Sequence, residues 1–225
     1  MKAAAIIPAA GLGKRFGAKK QFLELAGKPV LVHTLIAFEQ TPTVTAVCVA
    51  VPEAEISSVR EMVERAHLKK VAKVVAGGKE RQDSVRLGFE ALPACDFVIV
   101  HDGVRPLVTR DIIERILDGA VRFGSCVAAL PVKETTKRVG ADHLILETID
   151  RDSLWSVQTP QAFRTPIFRQ AIEKSVRDGF LGTDESMLVE RLGEKVQVVE
   201  GSPFNIKVTV PEDLKIAEAY LKMRD

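Results

Sequence analysis

The sequence predicts an α/β fold, a Rossmann-like and mostly parallel sheet with helices on both faces, from which one β-hairpin projects. Short, nearly all-apolar runs rich in β-branched residues alternate with longer segments of helical period, the pattern left by successive βαβ crossovers. A glycine-rich turn follows the first of these runs directly, the place where α/β sheets bind ligands. Residues 133–155 break the alternation with two extended segments joined by a turn.

The elements follow in chain order. Ala3 to Pro8 is a short apolar run and predicts the first strand. Val30 to Glu39 spaces apolar residues at three and four, giving a helix with one buried stripe. Thr45 to Val51 predicts a second strand, and Glu53 to Ala66 a helix whose mixed charges between Arg60 and Arg65 mark a solvated face. Lys73 to Ala76 (strand), Gln82 to Leu92 (helix) and Phe97 to His101 (strand) continue the alternation. Asp111 to Val121 is helical, with Thr109 able to cap it and Asp111 in its favourable first turn. Cys126 to Pro131 is again a strand.

Thr135 to Val139 and Leu144 to Thr148 are extended in character and joined by the turn Gly140 to His143. An isolated two-stranded hairpin is marginal in water, so this one is expected to pack against a second subunit as a dimerisation arm. Pro166 to Val176 and Glu185 to Leu192 read as helices, Lys195 to Val199 as extended, and Pro211 with Glu212 and Asp213 as the start of a final helix. With no repeat, low-complexity tract or linker, residues 1–225 are expected to form one domain carrying the excursion 133–155.

Composition narrows the function classes. At 46% hydrophobic and 28% charged residues, disordered and fibrous architectures fit poorly. A net charge of +2 with interleaved signs argues against a nucleic-acid-binding stripe. The first apolar run is too short for a signal peptide or a membrane span, so a cytoplasmic enzyme without membrane contact is expected. Cys48, Cys95 and Cys126 are isolated and read as small buried hydrophobes, while His33, His67, His101 and His143 lack metal-ligand spacing.

The chemistry concentrates in Pro8-Ala9-Ala10-Gly11-Leu12-Gly13-Lys14-Arg15-Phe16-Gly17. Small residues let backbone amides approach a phosphate, glycines permit the backbone of an anion nest, and Lys14, Arg15, Lys19 and Lys20 add positive charge. The spacing G-x-G-x-x-x-G is one residue longer than the dinucleotide fingerprint, and the Gly-Lys-Ser/Thr of a P-loop is missing. An ordinary glycine-rich turn flanked by solvated lysines is the structural alternative.

These residues resemble the nucleotidyltransferase superfamily that activates sugars, whose signature is an apolar strand followed by Ala-Ala-Gly-x-Gly-x-Arg. The resemblance runs on, in order, through Lys20-Gln21-Phe22-Leu23, Gly77 to Val85, His101-Asp102-Gly103-Val104-Arg105-Pro106, Pro131 to Thr135, Asp150-Arg151, Gln158-Thr159-Pro160-Gln161, Thr183-Asp184-Glu185 and Asn205 to Thr209. As a set, the blocks are similar to the 2-C-methyl-D-erythritol 4-phosphate cytidylyltransferase family. One departure is Gly103-Val104, where many members carry Ala-Ala; related ribitol-phosphate cytidylyltransferases often have valine before this arginine, so ribitol 5-phosphate stands as an alternative acceptor and UTP as an alternative donor.

The resemblance implies a transfer of CMP from CTP to the acceptor phosphate with release of pyrophosphate, Mg²⁺ as cofactor, and an active site shared across a homodimer. It implies that Pro8, Ala9, Ala10, Gly11, Gly13, Gly78 and Ser84 bind CTP. Arg15, Lys20 and Lys207 would stabilise charge on the reacting phosphates, since such transfer relies on positioning and electrostatics. Asp102, at the end of an apolar strand, would orient the acceptor or help hold Mg²⁺, the metal being carried mainly by the CTP phosphates. Arg105, Thr135, Arg151, Thr159 and Thr183 would grip the acceptor, Thr135 and Arg151 from the arm. The structural alternatives are a locally satisfied hydroxyl for Ser84, a solvated lysine for Lys20, an ion pair with Asp102 for Arg105, and an edge-strand guard for Lys207, which follows a predicted strand in Asn-Ile-Lys-Val-Thr. A nicotinamide-dependent oxidoreductase would share the βαβ pattern and the early glycine loop, but not the spacing; a non-catalytic nucleotide sensor would bind and make no product.

Overall fold

A computed structural model describes residues 1–11 and 19–223. Strand β1 (Ala3–Pro8) is followed by a short 3₁₀ turn (Lys20–Phe22), the two-residue strands β2 (Glu24–Leu25) and β3 (Lys28–Pro29), and helix α1 (Val30–Glu39). Next come β4 (Val44–Val51), α2 (Ile56–Arg65) behind a 3₁₀ turn at Glu53–Glu55, β5 (Val71–Ala76), α3 (Arg81–Ala91), β6 (Phe97–Val100), α4 (Arg110–Phe123) and β7 (Ser125–Pro131). The chain then forms β8 (Thr136–Val139), β9 (Ile145–Ile149), β10 (Trp155–Arg164), α5 (Thr165–Arg177), α6 (Glu185–Glu190), β11 (Gln197–Glu200) and α7 (Pro211–Lys222).

The main sheet runs β11-β7-β10-β6-β1-β4-β5. β1 lies parallel between β4 and β6, with Ala5 opposite both Val47 and Ile99, while β10 runs antiparallel to β6 and β7. The chain moves from β1 outward to β4 and β5, then returns to place β6 on the other side of β1. That reversal opens a crevice beyond the carboxyl ends of β1 and β6, the usual ligand position in an open α/β sheet.

Strand periodicity divides the core. Ala3, Ala5 and Ile7 face Leu35, Phe38, Val59, Ile113 and Ile116 from α1, α2 and α4. Ile6 faces the other way, joining Val98, Val100 and Phe163 with Val85, Phe89, Phe168 and Leu188 from α3, α5 and α6. Burial on both faces explains why β1 is apolar throughout, and each fully buried Ile, Leu or Phe contributes about 1.5–3 kcal/mol. A smaller cluster of Leu25, Val30, Leu107, Val208 and Ala217 seats α7 beside β2. Thr109 caps α4 by accepting from the Ile112 amide at 3.3 Å, as its sequence suggested.

Two segments differ from expectation. β10 was not anticipated: no strand was read between Trp155 and Arg164, where Gln158, Thr159 and Gln161 are polar, yet these three and Pro160 are buried. Pro160, following a cis Thr159–Pro160 bond, falls where pairing with β7 shifts register between Val157 and Gln161, a position at which the ladder does not need its missing N–H. Asn205 to Thr209 is a loop and not a strand, so Lys207 guards no sheet edge; a Val208 N–H to Val104 carbonyl bond of 2.9 Å and an Asn205 side-chain amide to Thr159 carbonyl bond of 2.8 Å help anchor it.

The projecting hairpin forms from β8 and β9 as a separate two-stranded antiparallel sheet. Cys48 and Cys126 are buried free thiols whose desolvation pushes their pKa values up to about 11 and about 12, as inert core cysteines require. Among the described residues no helix is long and apolar enough to cross a membrane.

Candidate active site

The exits of four strands, β1, β4, β5 and β6, meet at the crevice through three backbone hydrogen bonds. The Ala9 amide donates to the Ala50 carbonyl at 2.7 Å, the Gly77 amide to Val51 at 2.7 Å and the Gly103 amide to Pro8 at 3.3 Å. A Cβ on Gly77 would lie 2.2 Å from that of Ala10 and 2.8 Å from Ser84 Oγ, so this turn closes on β1 only as glycine. Gln21, buried beside the 3₁₀ turn, donates its amide to the carbonyls of Ala9 (2.8 Å) and Gly11 (3.3 Å) and fixes the start of the glycine loop. Ser84 is held locally: Oγ accepts from the Gly78 amide at 3.1 Å and donates to the Glu80 carbonyl at 3.2 Å. Half-buried Lys20 opens the 3₁₀ turn. Gly13 and Arg15 lie outside the described residues.

Asp102 leaves β6 into the crevice, and three cations converge on its buried carboxylate. Arg81 Nε donates to Oδ1 at 3.0 Å, while Lys207 Nζ lies 2.8 Å and Arg105 Nε 3.5 Å from Oδ2. Burial, the largest single influence, would raise the Asp102 pKa, but Arg81, Lys207 and Arg105 together outweigh it and hold the group well below the usual carboxylate range. Arg105 also donates to the Asn205 carbonyl at 2.8 Å, binding the Lys207 loop to this end of the sheet.

Arg81 reaches further. Its NH1 lies 2.6 Å from Oε1 of Glu185, a carboxylate buried at the start of α6. Burial raises the Glu185 pKa, Arg81 opposes this, and the nearby Asp102 and Asp184 add to it. Burial would lower the Arg81 pKa, yet Glu185 and Asp102 outweigh it and raise it. The guanidinium thus stays charged between two carboxylates.

A second relay orders the same turn. A carbonyl only accepts, so His101 Nε2 donates to the Arg105 carbonyl at 3.2 Å. Nδ1 then accepts from the Thr159 hydroxyl at 3.0 Å, and that hydroxyl accepts from the Asp102 amide at 3.0 Å. This pattern needs a neutral ring, in agreement with a His101 pKa pushed down to about 4, chiefly by burial.

Arg81, Asp102, Arg105, Val157, Gln158, Thr159, Gln161, Thr183, Asp184 and Lys207 line a cleft of about 260 Å³. The structure therefore brings together Asp102, Arg105, Thr159, Thr183 and Lys207. Thr135 and Arg151 stand exposed at the base of the arm, where Arg151 donates to the Lys133 carbonyl at 2.7 Å, and neither lines the cleft of this chain. Arg81 and Glu185 were given no role from sequence, although both sit in the quoted blocks. Their signal was a charge at the first turn of a helix that immediately follows a glycine turn or an acidic cap.

Comparison with known proteins agrees with this geometry. The model of the family described as IspD, 2-C-methyl-D-erythritol 4-phosphate cytidylyltransferase, matches residues 3–223. The 2-C-methyl-D-erythritol 4-phosphate cytidylyltransferase of Syntrophus aciditrophicus is 46% identical, covering 100% of this chain and 97% of that protein. The crystal structure of the Thermus thermophilus protein of that name superposes with a TM-score of 0.82 at 34% identity, over 99% of this chain and 100% of the other. The 4-diphosphocytidyl-2C-methyl-D-erythritol synthase of Anaerococcus prevotii gives a TM-score of 0.87 at 30% identity, over 98% and 96%. With its fold and nearly its whole length matched by them, the chain belongs to the 2-C-methyl-D-erythritol 4-phosphate cytidylyltransferase family.

Proposed function

We propose that this chain transfers the cytidylyl group of CTP to 2-C-methyl-D-erythritol 4-phosphate, forming 4-diphosphocytidyl-2-C-methyl-D-erythritol and releasing pyrophosphate. A phosphate oxygen of the acceptor attacks the α-phosphorus in line; the new P–O bond forms as the bond to the β-phosphate's bridging oxygen breaks, and pyrophosphate leaves with that electron pair. The observation that carries this reading is the convergence of Lys207, Arg105 and Arg81 on one buried carboxylate at the switch point of the sheet.

In this reading Pro8 to Gly13, with Gly78 and Ser84, bind the cytidine, and Lys20, Arg15 and Lys207 bind the triphosphate. Cations brought to this place act where charge develops on the phosphates. Asp102 orients Arg105 toward the acceptor and pairs with Lys207 beside it, with Thr159 and Thr183 on the wall of the cleft. Thr135 and Arg151 reach a cleft only from a second copy, so the active form is a homodimer whose arms complete each other's sites.

The donor set suits a metal delivered on the nucleotide and not one caged by protein. Both Asp102 oxygens are engaged by Arg81, Arg105 and Lys207, and among the described residues no group of three or more His, Cys, Asp or Glu side chains is placed to hold a metal ion. Mg²⁺ arriving on the CTP phosphates would neutralise part of their charge. Val104, the departure that raised ribitol 5-phosphate, packs against Leu25, Val30, Leu107 and Val208 and does not line the cleft. The valine therefore carries no argument about the acceptor.

Incubation with CTP, Mg²⁺ and each acceptor in turn tests the assignment. Pyrophosphate release with methylerythritol phosphate, at a kcat/KM well above that for ribitol 5-phosphate, is expected. No release with either overturns it.

A further inference from the structure

We infer that Arg81 is a positioning residue that frees Lys207 for the substrate, acting as the permanent counter-ion of Asp102. The inference rests on the cleft being the site of cytidylyl transfer.

The cations around Asp102 are not equivalent. Lys207 is held by one ion pair, on a side chain that is 40% exposed and on a loop without regular structure. Arg81 is held at both ends, by Asp102 at 3.0 Å and by Glu185 at 2.6 Å, at the start of helix α3. Of the two, only the lysine is free to exchange partners.

That exchange is what the reaction requires. To stabilise a phosphate, Lys207 must turn from Asp102 toward the incoming charge. A buried carboxylate left without a partner would cost several kcal/mol, enough to keep the lysine where it is. Arg81 lowers that obstacle, because Asp102 keeps this 3.0 Å charged hydrogen bond, closer than its 3.5 Å contact with Arg105, whichever way Lys207 points. Glu185 in turn keeps Arg81 from following the phosphate: with one carboxylate at each end, the guanidinium is neutralised on both sides and its geometry is fixed. Glu185 Oε2 is buried with no hydrogen-bond partner, so this carboxylate depends on Arg81 as well.

The experiment is a double-mutant cycle between the Arg81–Glu185 pair and Lys207. Arg81→Gln with Glu185→Gln removes both ends of the strut without leaving Glu185 charged and unpaired. This variant should lose about 10²-fold in kcat, the scale of a mispositioned catalytic group, with KM for CTP within about threefold of the parent, because the phosphate contact that is lost strengthens in the transition state. In a Lys207→Ala background the same pair of changes should cost less than about threefold, since no lysine remains to be freed. A normal kcat in the first variant, or equal losses in both backgrounds, overturns the inference. Arg81→Lys with Glu185→Gln, which keeps one cation facing Asp102, should retain kcat within about tenfold; a greater loss also overturns it. If Lys207→Ala alone leaves turnover intact, it is the assignment of the cleft that fails, an outcome separable from failure of the strut.

Discussion

The cleft and the arm satisfy their side chains in opposite ways. Among the described residues, the polar groups that the cleft buries find partners within the chain: Asp102 has three cations, Arg81 two carboxylates, and the neutral His101 ring a bond at each nitrogen. The arm instead holds Leu144, Ile145 and Leu146 out to solvent at 64% exposure each. The difference follows from energetics. An unpaired buried charge is too costly for a fold to tolerate, whereas a few exposed apolar side chains cost little and mark a surface that awaits cover. The ion-pair network of the cleft is thus closed within one chain, whereas the arm leaves apolar side chains uncovered.

Removing a cation from the cleft gives the largest expected effect. Lys207→Ala should lower kcat by about 10²–10³, the usual loss when one preorganised donor is deleted, and leave the fold intact because Arg81 and Arg105 still neutralise Asp102. Steady-state kinetics of pyrophosphate release, beside a thermal melt, measure both. Turnover within a factor of about three would mean that Lys207 does not act on the reacting phosphates and that the cleft is not the site of transfer.

Acid separates the two regions next. Below about pH 6.5 the unfolded chain protonates His101, while the folded ring stays neutral down to about 4. The unfolded state therefore binds more protons across that window. Its stability contribution is full above about pH 6.5 and falls as the pH drops, by about 3 kcal/mol in all. Asp102, whose pKa is depressed, keeps its contribution across most of this window and begins to lose it only near the ordinary carboxylate value of about 4, continuing to lose it as the pH falls further. Urea unfolding at pH 6.5 and 4.5 should show the loss, and His101→Gln should flatten it. The same slope in both proteins would show that the Thr159–His101–Arg105 relay does not control the titration.

A third and smaller effect addresses how the cleft is closed. Gly77→Ala places a methyl group 2.2 Å from the Ala10 Cβ, with no flexible side chain to give way. The resulting strain should lower stability by about 1–3 kcal/mol and weaken CTP binding, because Ala10 must move. A calorimetric titration with CTP that matched the parent would mean that the turn does not shape the nucleotide site.

How much of this was legible in the sequence also divides along the comparison. β1, α1 and the helices of both layers were readable because burial imposes one period at a time: β1 and α1 were placed at Ala3–Pro8 and Val30–Glu39, where they occur. Asp102 was readable because a carboxylate closing an apolar strand has few structural uses. β10 was not, since its buried polar residues are satisfied by distant partners: Gln161 donates to Asp184 at 2.8 Å and Gln158 to the Ser202 carbonyl at 2.9 Å. Local pattern holds no trace of such bonds. Arg81 escaped for the same reason, as the carboxylate it pairs with on α6 is over a hundred residues away.

The smallest effect on the fold belongs to the arm. Ile145 is exposed on β9 and packs in neither of the main cores. Ile145→Lys should therefore change the unfolding free energy of an isolated chain by no more than about 0.5 kcal/mol, as surface substitutions do. If the arm is covered by a second copy, the same lysine buries an unpaired charge in the interface, and sedimentation at micromolar concentration should shift from dimer to monomer mass. Activity should fall with it, because Thr135 and Arg151 stand at the base of the arm and no longer reach a partner's cleft. A variant that sediments and turns over like its parent would mean that the exposed leucines and isoleucine are covered by something else, and that each cleft works with the residues of its own chain.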